Sequence, residues 1–140
     1  MPATTPAAVE AAAPIRSPIL IILSAWLVPG SGHFLLGRRG RAAIIFCAVA
    51  AAFAIGVGLQ GPFFAPAANG DVLSKLIQYG GIAGDVANGL LYFIASFAGY
   101  RPPDGPGHAS DYGSKFIVCA GLLNILGIVD AYEIATRKKN

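Results

Sequence analysis

Two long stretches of this chain contain no Asp, Glu, Lys or Arg. The first runs from Ser17 to Gly37, with His33 as its one titratable imidazole, and the second runs from Ala42 to Gly70. Charged residues make up 12% of the 140 positions, which is about half of what a soluble domain carries. A water-soluble fold of this composition would lack polar side chains for its surface. The sequence therefore predicts an all-α, multi-pass membrane protein.

The basic residues lie at the ends of the apolar segments, in clusters at 38–41 and 137–139. They do not form a stripe interleaved with aromatic residues, so we expect no nucleic acid partner. The lipid bilayer is the expected partner, because anionic headgroups attract such clusters. Cys47 and Cys119 lie within apolar segments, where cysteine behaves as a small hydrophobic residue, and they imply no disulfide framework.

Two segments are long enough to cross a bilayer, which takes about 20 helical residues. They are Arg41 to Gln60 and Tyr112 to Ala135. Two further apolar segments are shorter, and both interpretations of each stay open. Residues 19–28 precede Pro29-Gly30, so the helix either continues to Leu36 with a kink or breaks there and returns. Residues 86–100 form an interfacial or re-entrant helix, or a crossing if the glycine-rich run 79–84 joins them.

The remaining segments are predicted as tails and connections. Residues 1–16 are rich in Ala, Pro and Thr and predict a disordered tail. Residues 17–136 form a single helical membrane domain, and 137–140 form a basic tail. Turn residues predict a connection with one or two helical turns at 61–81 and a polar loop at 101–111. Arg16 followed by 19–28 imitates a signal peptide, but no A-x-A site follows, which favours an uncleaved anchor.

The charge distribution predicts how the helices are oriented. With two crossings, both basic clusters lie on one face, which the positive-inside rule places in the cytoplasm. With four crossings, the alternative, the clusters lie on opposite faces. We expect a bacterial inner (plasma) membrane protein with two crossings and cytoplasmic basic clusters.

Small side chains predict where helices pack. A spacing of four residues places small residues on one side of the first long helix, which lets another helix approach closely: Ala48, Ala52 and Gly56, with a second ladder at Ala50, Ala54 and Gly58. The last helix carries a comparable stripe of Ala120, Asn124, Gly127 and Ala131. We expect the amide of Asn124 to form a hydrogen bond with a neighbouring helix.

Two stretches resemble a known family. Pro29-Gly30-Ser-Gly32-His33-Phe-Leu-Leu-Gly37-Arg38 resembles the glycine, histidine, aromatic, leucine, glycine, arginine motif of the TM-two domain family, whose members are small membrane proteins with two helices joined by a short linker. The stretch from Ala120 to Tyr132, with Asn124 and Asp130, resembles the aspartate-bearing second helix of that family.

The chain is still more similar to an uncharacterised bacterial family that begins Trp-Leu-Val-Pro-Gly-x-Gly-His, here from Trp26. That family ends Ala-Gly-Leu-Leu-Asn…Asp-Ala-Tyr, here from Ala120 to Tyr132, around a variable middle. The resemblance implies a membrane location and no activity. The long linker departs from the TM-two pattern, and the acidic-arginine-aromatic signature of some members is missing, so their signalling roles do not transfer.

The candidate site residues are few. His33 has no Cys or carboxylate at ligand spacing and His108 lies in another loop, so we expect no metal and no cofactor but a histidine that caps the turn after Pro29-Gly30. Trp26 suits an interfacial position. Asp130 is expected to form a salt bridge with Arg38 or Arg39. Polar groups at membrane depth are functional candidates, namely Asp85, Asn124 and Asp130.

Three functions follow from these residues. The first is a non-enzymatic, structural or interaction role in a membrane assembly, as a homo-oligomer or with other membrane proteins. The alternative is an oligomeric channel or small-solute carrier. A haem- or metal-binding subunit that uses His33 is the third.

Overall fold

The computed structural model describes residues 17–66, 68–102 and 107–136. The tails predicted at 1–16 and 137–140 lie outside these ranges. The described residues form helices and no strand, which confirms the all-α class. The helices are α1 (Pro18–Leu27), α2 (Ser31–Leu35), α3 (Arg39–Gly58), α4 (Val72–Ala87), α5 (Leu90–Phe97) and α6 (His108–Ala135).

The two long helices, α3 and α6, run antiparallel. Arg41 in the first turn of α3 contacts Asp130 near the end of α6, whereas Gly56 near the end of α3 packs on Gly113 near the start of α6. Both helices are long and apolar enough to cross a membrane. They match the two predicted crossings, although α6 begins at His108, within the predicted polar loop 101–111.

Glycine lets α3 and α6 approach closely. A Cβ at Gly56 would lie 2.5 Å from Cγ1 of Ile117 and 2.7 Å from the Gly113 carbonyl oxygen. Of the predicted ladder, Ala52 packs partly buried against the core and Ala48 is exposed. Within the chain, Gly56 is therefore the member that α6 approaches closely, because a spacing of four residues drifts by about 40° at each step around a 3.6-residue helix. The helix that approaches Gly56 belongs to the same chain.

The side chains between these helices form a hydrophobic core. Its buried members are Val49, Phe53, Ile117 and Ala120. On α6, the predicted stripe of Ala120, Asn124, Gly127 and Ala131 is buried throughout. This stripe is the face against which the other helices pack.

Helices α1 and α2 form a hairpin, the first hairpin (18–35), that enters and leaves at one end of the α3–α6 pair. Ile21 and Gly32 both lie near Ala131, whereas the carbonyl of Trp26 between them reaches Asn124 in the middle of α6. The predicted break at Pro29-Gly30 is confirmed, and of the two interpretations the returning hairpin holds. Gly30 has a φ of +80°, and a side chain there would overlap the Ala42 carbonyl oxygen.

Helices α4 and α5 form the second hairpin (72–97), which enters from the opposite end. The carbonyl of Ala87, at the end of α4, also reaches Asn124. After α5 the chain is back at the far end of α3, where the Tyr100 hydroxyl donates to the carbonyls of Gly61 at 3.1 Å and Val57 at 3.3 Å. The apolar segment 86–100 is therefore divided between the tip and the returning arm of this hairpin.

The prediction that 61–81 is a connection with one or two turns is wrong, because α4 begins at Val72. Asp71 caps this helix: its side chain accepts from the Ser74 amide at 3.3 Å, and hydrogen bonds from Ser74 lower the pKa of Asp71. Glycines in 79–84 do not end the helix, because Gly81 and Gly84 leave room for Phe64 and Val118 to pack against its backbone.

Candidate functional site

The tips of the two hairpins meet beside the middle of α6, at a group of residues that we call the tip junction: Trp26, Ala87, Asn88, Gly89 and Asn124. The Asn124 Nδ2 donates to the carbonyl oxygens of Ala87 at 2.9 Å and of Trp26 at 3.3 Å. The last carbonyls of a helix have no partner within it. One amide on α6 therefore satisfies carbonyls at the ends of both α1 and α4.

Two more hydrogen bonds hold the tip junction together. The Trp26 indole Nε1 donates to the Val86 carbonyl at 3.0 Å, which joins the two hairpins directly. The Asn88 Nδ2 donates to the Ile117 carbonyl at 3.0 Å, which attaches the second hairpin to α6. Trp26 thus lies half-buried between the hairpins, at the end of α1, and its interfacial position in a bilayer stays a prediction.

Gly89 permits the close contact at the junction. Its φ is +59°, and a side chain there would overlap the Trp26 carbonyl oxygen. Neither Asn88 nor Gly89 is among the candidate residues predicted from the sequence. The Asn88-Gly89 dipeptide, a common turn signal, was the local indication of this tip.

Asp85 lies in the last turns of α4, next to this junction, and is 1% exposed. Its Oδ2 accepts a hydrogen bond from the Phe64 amide at 2.6 Å. Its Oδ1 has no hydrogen-bond partner among the described residues, and the same is true of Oδ1 of Asn88 and of Asn124. A carboxylate oxygen of this kind can take up a proton, and carboxylate and amide oxygens both accept hydrogen bonds or ligate hard cations.

A second polar group, which we call the end cluster, joins His33, Arg41 and Asp130 where α3 begins and α6 ends. His33 Nε2 lies 2.8 Å from Oδ2 of Asp130, and Arg41 Nη1 lies 3.0 Å from the same oxygen. His33 is fully buried. The prediction that this histidine caps the turn is therefore wrong, because its ring faces α6.

The salt bridge predicted for Asp130 exists with a different arginine. The structure describes Arg41 as the partner, whereas the predicted partners were Arg38 and Arg39. Arg38 occupies the N-cap position of α3, and Arg39 turns toward Phe34 with its guanidinium carbon 5.9 Å from the ring centroid. One helical turn separates Arg38 from Arg41, so the local pattern did not distinguish them.

The remaining motif residues build the hinge of the first hairpin. Pro29, Gly30 and Gly32 are buried, and a Cβ at Gly32 would lie 2.9 Å from that of Ala25. Gly37 has a φ of +77° in open space, which a turn between α2 and α3 requires. Among residues 17–66, 68–102 and 107–136, no three His, Cys, Asp or Glu side chains gather as metal ligands would.

Comparison with known proteins gives one match. A model of a family of unknown function, DUF6677, matches residues 20–140. The chain belongs to the DUF6677 family. No curated protein and no solved structure matches it. Membership in DUF6677 agrees with the expected similarity to an uncharacterised family, while the resemblance to the TM-two family stays a prediction.

Proposed function

We propose that this chain is an integral membrane protein without enzymatic activity, which acts as an interaction subunit in a membrane assembly. The first support is the exposure of its apolar helices. Of the most apolar 18 residues of each long helix, 22% are buried in α3 and 33% in α6. A core helix of a soluble protein would be mostly covered, so this exposure supports lipid or another protein as the covering.

The proposal of an assembly rests on a row of small residues on the outward face of α3, which we call the α3 outer stripe. Its members are spaced three or four residues apart, and each is small and exposed: Ala43, Cys47, Ala51, Ala54 and Gly58. The outward faces of α1 and α6 carry large residues such as Leu23, at 54% exposure, and Leu126, at 65%, and on α3 itself the exposed Ile44 and Ile55 flank the stripe. Small residues let helix backbones approach closely in lipid, whereas large ones pack against acyl chains.

Native cysteines provide the test. Cys47 lies on the α3 outer stripe and Cys119 lies on α6, and both are exposed free thiols. Oxidation of membranes that contain the Cys119→Ser variant should yield a disulfide-linked dimer, because two copies that pack through this stripe bring their Cys47 residues together. The Cys47→Ser variant is the matched control and should remain uncrosslinked.

Substitutions on the same face sharpen the test. Ala51→Leu with Ala54→Leu should reduce the Cys47 adduct, since the larger side chains separate the two backbones. A partner other than a second copy would give an adduct of different mass. Absence of every Cys47-dependent adduct, or an equal yield through Cys119, would contradict an assembly through this face.

A carrier or channel is the second candidate, and the position of Asp85 supports it. Buried carboxylates at membrane depth mark ion and proton pathways, and discontinuous helices that meet in mid-membrane are typical of transporters. Asp130, the other carboxylate considered for such a path, is paired in the end cluster instead. Flux in liposomes that is lost in Asp85→Asn and kept in the exposed Asp71→Asn variant would support this candidate, and tight vesicles would contradict it.

The third hypothesis, a haem or metal bound by His33, gains no support. The Nε2 of His33 contacts Asp130, so a ligand there would have to displace the carboxylate. An absorption spectrum and metal analysis of the purified protein test it.

A further inference from the structure

An apolar groove lies between the hinge of the first hairpin and the first two turns of α3. Its volume is about 420 Å³. Val28 and Pro29 line one wall and Ala43 and Phe46 line the other. The mouth is open to the outside, and Phe34 at the groove is 58% exposed. A groove of this composition accommodates a hydrocarbon chain better than any hydrated ligand.

Arg39 is the one charged side chain among the residues described as lining this groove. Its guanidinium lies over the Phe34 ring. Among the described residues, the ion pairs are those of Asp130 with His33 and with Arg41. Arg39 takes part in neither, so its guanidinium is available to a ligand. Arg39 also begins α3, where the helix dipole adds positive potential. The groove therefore combines an apolar wall with a positive mouth.

We propose that this groove binds an anionic phospholipid, with one acyl chain along Val28, Pro29 and Phe46 and the phosphate at Arg39. The occupant follows from the charge and from the location. The groove lies at the end of the helix pair that carries the arginine cluster, where headgroups lie if α3 crosses the bilayer. A lipid without a phosphate, such as diacylglycerol, leaves Arg39 unused, and free phosphate leaves the apolar walls unused. The inference rests on the proposed membrane insertion, and the groove shares only Ala43 with the α3 outer stripe.

Retention of single lipids by the detergent-purified protein tests the inference. Native mass spectrometry counts phosphatidylglycerol and diacylglycerol bound per chain. We expect the wild type to prefer phosphatidylglycerol and Arg39→Gln to bind it about fivefold more weakly, which is the effect of one basic residue near a lipid surface. Binding of diacylglycerol, which has the acyl chains but no phosphate, should not change. Lys115→Gln, which removes an exposed cation at the opposite end of α6, is the matched control and should behave as wild type.

A second variant tests the acyl chain. Val28→Phe, at an exposed position that lines the groove and lies outside the α3 outer stripe, should lower the retention of both lipids while the melting temperature stays unchanged. Equal retention of phosphatidylglycerol by the wild type and Arg39→Gln, or competition by inorganic phosphate as strong as that by lipid, would overturn the inference. A chain that binds lipid normally yet gives no Cys47 adduct would contradict only the assembly.

Discussion

Asp130 shows how one residue can link two parts of the chain that are far apart in sequence. Its Oδ2 contacts both His33 and Arg41, and the His33 ring is buried whereas the Arg41 side chain is 46% exposed. An exposed ion pair contributes at most about 1 kcal/mol, whereas a buried hydrogen bond to a charged group contributes about 1.5–3 kcal/mol. The bond to His33 is therefore the stronger contribution.

We predict that Asp130→Asn lowers the free energy of unfolding by about 2 kcal/mol, and that Arg41→Gln lowers it by less than about 1 kcal/mol. Arg39→Gln, which removes a neighbouring charge outside this cluster, should leave it unchanged. Unfolding in mixed detergent micelles, followed by the fluorescence of the single Trp26, measures all three. An equal loss in Asp130→Asn and Arg41→Gln would show that the His33 contact contributes little.

Asn124 satisfies two carbonyls, so its removal leaves both without this donor. We predict that Asn124→Leu, which keeps a similar volume, lowers the free energy of unfolding by about 1–2 kcal/mol. The same substitution at exposed Asn69 is the control and should have no effect. If the two variants unfold alike in the same detergent titration, the amide does not hold the hairpin tips.

At this scale the sequence predicted which residues matter better than it predicted their partners. Asn124 was expected to bind a neighbouring helix, and Asp130 was expected to pair with the arginine cluster. Asn124 binds a tryptophan carbonyl and an alanine carbonyl, and Asp130 binds a buried histidine together with Arg41. Backbone carbonyls carry no sequence signature, and contacts between residues this far apart in the chain depend on how the hairpins fold back. Local spacing contains neither kind of information.

At the scale of helices, the two hairpins depend on breaks that allow their tips to touch. Gly89 combines a positive φ with a position at which a side chain overlaps the Trp26 carbonyl. Gly99 has a φ of +76° in open space, and Gly80 lies inside α4 with nothing near it. A side chain would therefore cause both backbone strain and overlap at Gly89, strain alone at Gly99, and neither at Gly80.

We predict that Gly89→Ala lowers the free energy of unfolding by about 3 kcal/mol, as strain and overlap add. Gly99→Ala should lower it by about 1 kcal/mol through strain alone, and Gly80→Ala should be neutral or stabilising by up to about 1 kcal/mol. Trp26 emission should shift only in Gly89→Ala, because only that variant separates the indole from the second hairpin. Similar losses in Gly89→Ala and Gly99→Ala would mean that the tips are not in contact.

Sequence patterns predicted α3, α6 and the break after α1, because long apolar runs and Pro29-Gly30 are strong local signals. They did not predict α4. Its glycines have low helix propensity, but packing of Gly84 against Val118 supplies the stability that propensity does not, as tertiary contacts often do. A local sequence pattern does not predict a helix that is stabilised by contacts with its neighbours.

At the scale of the whole molecule, the antiparallel α3–α6 pair fixes which segments share an end. The start of α3 and the end of α6 lie together at the Asp130 contact, and the loop after α3 lies at the start of α6, where the Ser114 hydroxyl donates to the Pro62 carbonyl at 2.9 Å. If only these two helices cross a bilayer, residues 40 and 136 lie on one face and residues 68 and 107 on the other. Four crossings would place 40 and 136 on opposite faces.

Single cysteines at these four positions test this arrangement in intact bacterial cells, in a background in which Cys47 and Cys119 are replaced by alanine. We predict that an impermeant maleimide labels cysteines at 68 and 107, and labels those at 40 and 136 only after permeabilisation, because the basic clusters favour the cytoplasmic side. The reverse pattern would contradict the cytoplasmic placement but keep two crossings. Equal labelling at 40 and 68 would contradict a bilayer between the ends of α3. It would thereby contradict both the proposed lipid binding in the groove and the proposed assembly through the α3 outer stripe.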